Sequence, residues 1–483
     1  MLPRLIRRPL RLEYLVFWWV ALACFFQLFV PPSIGVANNG DWWRIEAPEG
    51  LRPIVQPGKT EPSFGGVQFA FNRVPSIPGG YLTSERPLVR IAFWTLDLVG
   101  QKTVFQLQHL GAVHFALWLY AVAFVIAGLQ YLPSIPRVIG LLVVAIAAVD
   151  PTNISWFNSL FCEAAAIIFF VASIGTVLQL AVHPSPPRIL WLLFGLNWAL
   201  FSISKTQHYP LFVFGFLVPI MLCSRIRGWL SWTSVVVGLL LLSSISLYCV
   251  THIDGFTGTA NRWQTVFRGV LAYSPDVEND LRDLELRQEH KWYIGQSSHG
   301  IPERDVWSIT SQITHEKIAL FYLTHPDRLW RVMMALAEQT TPRSGLGNFP
   351  YDEKWAQRAF AFSAWTSLKE TLLPMNYGTL LGVPLLTLAC AIAGWCLGPT
   401  AYRPAWGVGA LLPLVALAQF GMVAVGEGTA DPVKHLALFH FTWDVCVAIV
   451  AGLIVNLKRS ERLPVVQRGR KVAKRRAPEL VRA

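Results

Sequence analysis

Ten apolar stretches divide this chain, at roughly 14–36, 110–132, 138–149, 163–182, 189–203, 209–223, 229–249, 376–398, 405–425 and 436–457. A bilayer core asks for about 20 such residues per spanning helix. Lipid offers backbone N–H and C=O groups no partner, so each stretch has to close its hydrogen bonds internally, as a helix. The expected fold class is an all-α polytopic membrane protein: about ten transmembrane helices, amphipathic surface helices and a helical outer loop region. A mean hydropathy of +0.42 with 14% charged residues excludes a soluble globular domain, since average chains carry ~25% charge.

Orientation follows from the excess of Lys and Arg in short cytoplasmic loops. Arg4, Arg7, Arg8 and Arg11 precede the first stretch, which places the N-terminus inside. Counting alternately, the inner turns hold Arg137, Arg188, Arg225 with Arg227, and Arg403, and the tail from Lys458 onward is strongly basic. The short outer loops carry instead Asp150 and Glu163, then Lys205 with His208, then Asp431 with Lys434 and His435. Ten spans with both termini cytoplasmic is the self-consistent count. It divides the chain into an N-terminal transmembrane module (1–249) with a large first outer loop (37–109), an outer, periplasmic helical region (250–375), C-terminal transmembrane helices (376–457) and a basic cytoplasmic tail (458–483).

Much of the net charge of +12 sits in the tail and inner turns, so orientation and contact with anionic membrane lipids account for it, and no nucleic-acid partner is expected. The seven cysteines lie within or at the ends of the spans, leaving no disulfide framework and no zinc spacing. The first stretch is long, ends in Val30-Pro31-Pro32 and has no small-residue cleavage pattern, so it reads as an uncleaved span.

Two outer segments are too large to be connectors. The first ends in PLVRIAFWTLDLVG (87–100), whose apolar residues recur at near-helical spacing around Arg90 and Asp97, as in a helix lying along a membrane surface. The second contains three helical pieces, at 305–323, 327–339 and 352–373. Twenty Trp and twelve Tyr suit a protein with many membrane interfaces and do not by themselves argue for a sugar-binding cleft.

Chemistry-bearing residues gather on the outer side. Asp41, in NNGDWWR (38–44), follows a Gly turn beside Trp42 and Trp43. It is placed to act as a general base on a hydroxyl against an aromatic platform, or is an ordinary Asn-Gly-Asp turn. DPTNISWFNSLFCEAAA (150–166) carries Asp150, Asn153, Asn158 and Glu163, the last where a span begins. A carboxylate at that depth needs a partner or a task, unless it is simply favoured by the helix dipole. In SKTQHYP (204–210), Lys205, Gln207 and His208 suit phosphate binding, or Lys205 snorkels to the interface. ADPVKHLALFHFTWD (430–444) offers Lys434 and His435 to an anionic lipid head, while His440 and Asp444, four apart, share a helix face and read as a buried structural pair. Arg343 and Asn348 lie in a Gly-rich stretch that closes over a substrate or merely connects.

The whole resembles the GT-C superfamily of membrane glycosyltransferases, which use polyprenyl-phosphate-linked sugars. It shares an Asp in a long first outer loop that ends in a surface helix, an acidic second outer loop and a late large outer region. FNSLFCEAAA (157–166), SKTQH (204–208) and DPVKHLALF (431–439) look like segments of bacterial multi-span sugar transferases of surface-glycan assembly. The resemblance covers most of the chain through short, degenerate motifs. It implies an inverting transfer of a hexosyl or pentosyl group from a polyprenyl-phosphate donor to a glycan or lipid-linked acceptor, at the outer face of a bacterial plasma (inner) membrane. In that scheme Asp41 is the catalytic carboxylate that takes the acceptor proton. Lys205, His208, Lys434 and His435 are the pool of phosphate contacts, and Asp150, Asn158, Glu163 and Arg343 complete the substrate-binding set. Many members carry paired acids in the first loop, whereas Asp41 has no adjacent acid. That leaves a divalent metal open, and no other cofactor is expected. A polysaccharide polymerase or ligase with a polyprenyl-diphosphate-linked glycan is the nearest rival. A transporter is disfavoured, since its polar residues tend to sit at mid-membrane in repeated arrangements.

The topology has a direct test. Alkaline phosphatase, active only outside the cytoplasm, is expected to be active when fused after residue 290 and silent after residue 226; the opposite pattern would invert the orientation.

Overall fold

A computed structural model describes residues 12–36, 38, 40–54, 70–77, 82–183, 186–223, 226, 229–251, 255–340, 361–374, 376–397 and 403–461. Helix is present at each apolar stretch: Leu12–Phe29, Leu107–Leu129, Ser134–Ala147, Glu163–Val182, Arg188–Ser202, Phe214–Met221, Trp229–Thr251, Tyr377–Leu397, Arg403–Gly426 and Ala437–Glu461. Their exposed faces are greasy, with Leu22, Leu142, Leu196, Leu385 and Ile392 all outward. The chain is a multi-pass, mainly helical membrane protein.

These helices do not by themselves show ten full spans. Among the described residues five are long and apolar enough to cross a membrane, or six if Ser134–Ala147 and the bent segment Pro151–Asn158, 64° off its axis, count as one. Arg188–Ser202 has 15 residues, about 22 Å at 1.5 Å per residue, well short of a ~30 Å hydrocarbon core. The next stretch is interrupted because Pro210 has no N–H to give: Thr206–Val213 runs as a tight 3-10 helix before Phe214–Met221 begins.

The all-α expectation fits the chain, with one small addition in the first large loop. Leu51–Pro53, Ala70–Arg73 and Val104–Gln106 form a three-stranded antiparallel sheet in that order within the first large loop, with Pro53 opposite Phe71 and Phe71 opposite Phe105. Strands of three or four residues are too short to show alternation in sequence. Their packing is nonetheless firm: Phe71 and Phe105 are buried with ring centres 6.3 Å apart, and Trp42 stands 6.2 Å from Phe71. The expected surface helix follows at Glu85–Leu98. It buries Leu88, Val89, Ala92 and Leu96 and exposes Ile91, Trp94 and Leu98. Arg86 and Arg90 both reach Glu49, pinning the helix to the start of the loop.

Two cores organise the rest. The first surrounds Glu163–Val182, which is buried along most of its length against Leu107–Leu129 and Arg188–Ser202. In the second, Trp263, Phe267, Val332 and Leu336 of the large loop region pack against Phe420, Val423, Phe439 and Trp443 of the last two helices. The 305–323 piece is split into Glu303–Thr310 and His315–Thr324, because Thr314 caps the second helix by accepting from Lys317 N. Pro326–Glu338 forms as expected. Of the third piece the helix Ala364–Leu372 is described, and 352–360 lies outside the described residues.

Helix Ala364–Leu372 is clasped to the bundle by polar ties. Lys369 Nζ donates to Asp444 Oδ1 at 2.6 Å, each side chain 4% exposed. Asp150 accepts from Thr366 N at 2.9 Å and Thr366 Oγ1 at 3.0 Å. His440 meets Thr340 Oγ1 at 2.6 Å. His440 and Asp444 therefore each pair with a residue of the large loop region, and not with each other as their spacing suggests. Removing one member of a buried pair strands the other charge at a cost of about 3–5 kcal/mol. Lys369→Met is thus expected to lower the melting temperature in detergent sharply, and Lys369→Met with Asp444→Leu to recover most of the loss; a single variant that melts like wild type would show the clasp to be dispensable.

Candidate functional site

The first loop enters the site through a turn that Gly40 makes possible, at φ +100°. Asn38 Oδ1 accepts from Gly40 N at 2.8 Å and from Trp42 N at 3.4 Å, closing the turn. Trp42 is fully buried, 5.9 Å from the Phe161 ring. It is an anchor in the core and not the surface platform expected beside Asp41. With Trp42 fixed, Asp41 projects toward the far end of the chain: it accepts from Lys434 Nζ and lies 3.2 Å from Arg44, three residues on.

The other parts come from three further segments. Lys434 and His435 sit on the short helix Pro432–His435, and Lys434 is also 3.4 Å from Asp431 and 5.8 Å above the Phe161 ring. Lys205, just before the 3-10 helix, donates to Glu163 Oε1 at 2.7 Å, both side chains about 95% buried (4% and 5% exposed). Lys205 Nζ is 3.1 Å from His435 Nδ1. The same Nδ1 lies 3.0 Å from Gln207 Oε1, and Nε2 is 3.8 Å from the Glu427 carboxylate. Gln207 and Gln419 both donate to the His435 carbonyl, at 2.9 and 3.2 Å, and Ser204 Oγ is 2.8 Å from His208 Nδ1. Glu163, Gln207, His208, Lys434 and His435 line a narrow recess, backed by Ala166, Ile167 and Leu438.

Six expected residues, Asp41, Glu163, Lys205, His208, Lys434 and His435, therefore converge. Asp150 and Asn158 do not join them. Asp150 is an N-cap, accepting from Thr152 and Thr366. Asn158 Nδ2 donates to Leu28 O at 2.9 Å and Ile34 O at 2.8 Å, latching the exit of the first helix. Arg343 and Asn348 lie outside the described residues. Sequence reasoning passed over Arg44, Glu427 and Gln419. Arg44 stands three residues after Asp41, Glu427 is an acid in an expected short outer loop, and Gln419 is a polar side chain within an otherwise apolar helix, which is itself a signal.

Electrostatics separates the titratable groups. Burial would raise the Asp41 carboxyl, but Lys434, Arg44 and Lys205 outweigh it and hold it well below the usual carboxylate range. Burial would lower the Lys434 ammonium, yet Asp41 and Asp431 raise it, so it stays charged. Burial and the nearby lysines push His435 well below its ordinary value, and burial with Lys205 does the same to His208. Both imidazoles are thus neutral and offer hydrogen bonds, not charge. For Glu427 burial dominates over Lys205, Arg44 and Lys434, and its carboxyl is raised to about 7. No group of three His, Cys, Asp or Glu side chains among the described residues is arranged to hold a metal ion.

The loop bearing Glu427 is locked from the other side. Gly428, at φ +59°, packs so closely on the segment Val266–Val270 that a Cβ would lie 2.8 Å from Gly269 N and 2.9 Å from Gln264 O. Thr429 Oγ1 donates to Arg268 O at 2.9 Å, and Thr265 Oγ1 to Val425 O at 3.1 Å.

The family described as YfdI N-terminal transmembrane domain matches residues 3–475. No curated protein matches the chain. Among solved structures, the Archaeoglobus fulgidus oligosaccharyltransferase in complex with Zn and sulfate is similar at 12% identity and a TM-score of 0.36, over 92% of this chain and 51% of that one. The same organism's oligosaccharyltransferase tethered to an acceptor peptide gives 10% identity and 0.39 over 94% and 51%. The chain spans about half the length of these structures, and at this level the likeness carries no argument about what it does.

Gly428→Ala forces a left-handed residue costing about 1–3 kcal/mol into backbone contact, so a clear fall in melting temperature is expected. Gly421→Ala, in open space within a helix, is expected to be neutral or to stabilise by about 0.5–1 kcal/mol. Equal behaviour of the two variants would refute the tight approach at Gly428.

Proposed function

The chain belongs to the YfdI N-terminal transmembrane domain family, and we propose that it is a GT-C-type inverting glycosyltransferase. It moves a hexosyl or pentosyl unit from a polyprenyl-phosphate donor to a hydroxyl of a glycan or glycolipid acceptor, at the outer face of a plasma membrane. The observation that carries this reading is the convergence of Asp41, Arg44, Glu163, Lys205, Glu427 and Lys434 on one end of an apolar bundle.

Ion pairs so little exposed are weak evidence for stability, and perturbed titratable groups around a recess favour a functional site. Lys434, Lys205 and Arg44 supply the positive charge that a lipid-borne phosphate needs. Their bonds to Asp41 and Glu163 can be exchanged for bonds to its oxygens. As the bond between the anomeric carbon and phosphate oxygen breaks, negative charge grows on that phosphate, and cations already in place stabilise it without reorganisation. Neutral His208 and His435, with Gln207, add donors for phosphate or sugar oxygens. The greasy helix faces give the polyprenyl chain a place to lie, and Asp41 keeps Lys434 aimed at the recess.

The test is sugar transfer by the purified full chain in nanodiscs, from a panel of polyprenyl-phosphate sugars. Lys434→Gln removes one charge-assisted contact worth about 1.5–3 kcal/mol, so the donor KM is expected to rise about 10- to 100-fold. Asp41→Asn is expected to impair transfer while the fold, read by melting temperature, survives. Turnover only with diphosphate-linked glycans would move the protein to the polymerase or ligase class, and turnover with neither donor would remove it from the glycosyltransferases.

A further inference from the structure

The proton of the acceptor hydroxyl needs a carboxylate free to take it, and the acids of the site differ in what already occupies them. Asp41 accepts from Lys434 and lies against Arg44. Glu163 accepts from Lys205, and Asp431 lies 3.4 Å from Lys434. Glu427 is different. Its side chain is 13% exposed, and the His435 ring lies 3.8 Å from it. Among the described residues no lysine or arginine reaches it within ion-pair distance. Its position is nevertheless held: Glu427 N donates to Val423 O at 2.9 Å, and the next residue, Gly428, is locked against Gly269.

Resting on the transfer reading above, we propose that Glu427, and not Asp41, is the general base that deprotonates the acceptor hydroxyl. The acceptor oxygen forms its bond to the anomeric carbon as the bond from that carbon to the phosphate oxygen breaks. The electron pair of the broken bond leaves with the polyprenyl phosphate. The acceptor proton passes to the Glu427 carboxylate and from there to water. Asp41, the acid first singled out, becomes the positioning residue that holds Lys434 on the phosphate.

Two physical points support the exchange of roles. A base works best when its pKa lies near the operating pH. Asp41 is held far below that by Lys434, Arg44 and Lys205, whereas Glu427 stands at about 7. The groups acting on Glu427 from the surrounding segments are Lys205, Arg44, Lys434 and Asp41, with His435 beside it, so it faces the phosphate cations without being bound to one. Glu46 is also raised to about 7, but by burial alone, with no cation of the site acting on it.

The experiment is a pH profile of transfer at saturating donor, with the full chain in nanodiscs. A carboxyl must be ionised to accept a proton, so wild-type kcat is expected to climb tenfold per pH unit below about 7 and to level above it. Glu427→Gln is expected to lower kcat by about 10²- to 10⁴-fold and to abolish that limb. Donor KM should stay within about threefold and the melting temperature near wild type, while Glu427→Asp recovers part of the rate with a displaced limb. Glu427→Gln at wild-type kcat, or a limb abolished by Asp41→Asn or Glu46→Gln instead, would overturn the assignment. Wild-type protein inactive with every polyprenyl-phosphate sugar would overturn the transfer reading, and the base with it.

Discussion

The ion pair between Lys434 and Asp41 ties together residues 393 positions apart, and it brings the two ends of the chain to one site. An ammonium that is only 5% exposed has lost most of its hydration, and an unpaired charge there is costly enough that the chain would rearrange or the group would neutralise. Asp41 answers that cost. In doing so it draws the first loop onto the short helix Pro432–His435, whose last carbonyl is fixed in turn by the amides of Gln207 and Gln419. Lys434, Lys205 and the His435 carbonyl each find a partner on another segment. The recess is therefore a product of tertiary structure and not of any one motif.

The same chemistry serves different ends according to its partners. Asp150 accepts only from neutral donors, Thr152 and Thr366, and so fixes the backbone of two segments. Asp444 and Lys369 saturate one another between two packed helices and clasp the large loop region to the bundle. Asp41 is clamped by cations and Glu427 faces cations without touching one. An acid held by backbone and hydroxyl donors is architectural, an acid held by a lysine orients that lysine, and an acid whose burial outweighs the cations around it is raised toward neutrality. Four carboxylates of ordinary appearance in the sequence thereby acquire four roles.

Helix existence was legible because apolar runs are long and lipid permits little else; a helix stands at every expected stretch. Span count was not, since Pro210 and the 15-residue Arg188–Ser202 show how an apolar run can fall short of a crossing. The small sheet escaped because Ala70–Arg73 pairs with Leu51–Pro53 on one side and with Val104–Gln106 on the other, each across a long stretch of chain that no local pattern records. At the site, Asp41, Glu163, Lys205, His208, Lys434 and His435 were legible as charges where an apolar chain should have none. Asp150 and Asn158 met the same criterion and proved to be ties, because polarity marks a group that needs a partner without saying whether the partner is backbone or ligand. Glu427 was passed over beside the more conspicuous Asp431, Lys434 and His435.

The large loop region is more than a cover, because it packs on the segment that carries Glu427. Val266–Val270 is a π-helical turn, the wider coil that one extra residue inserts into a helix. That insertion brings Gly269 against Gly428 at a separation only two glycines allow. Thr265 and Thr429 then stitch the contact through each other's backbone carbonyl neighbourhoods, at Val425 O and Arg268 O. A loop held by steric exclusion and two hydrogen bonds has little freedom to shift alone. The acid is thereby fixed where the large loop region packs on the last two helices.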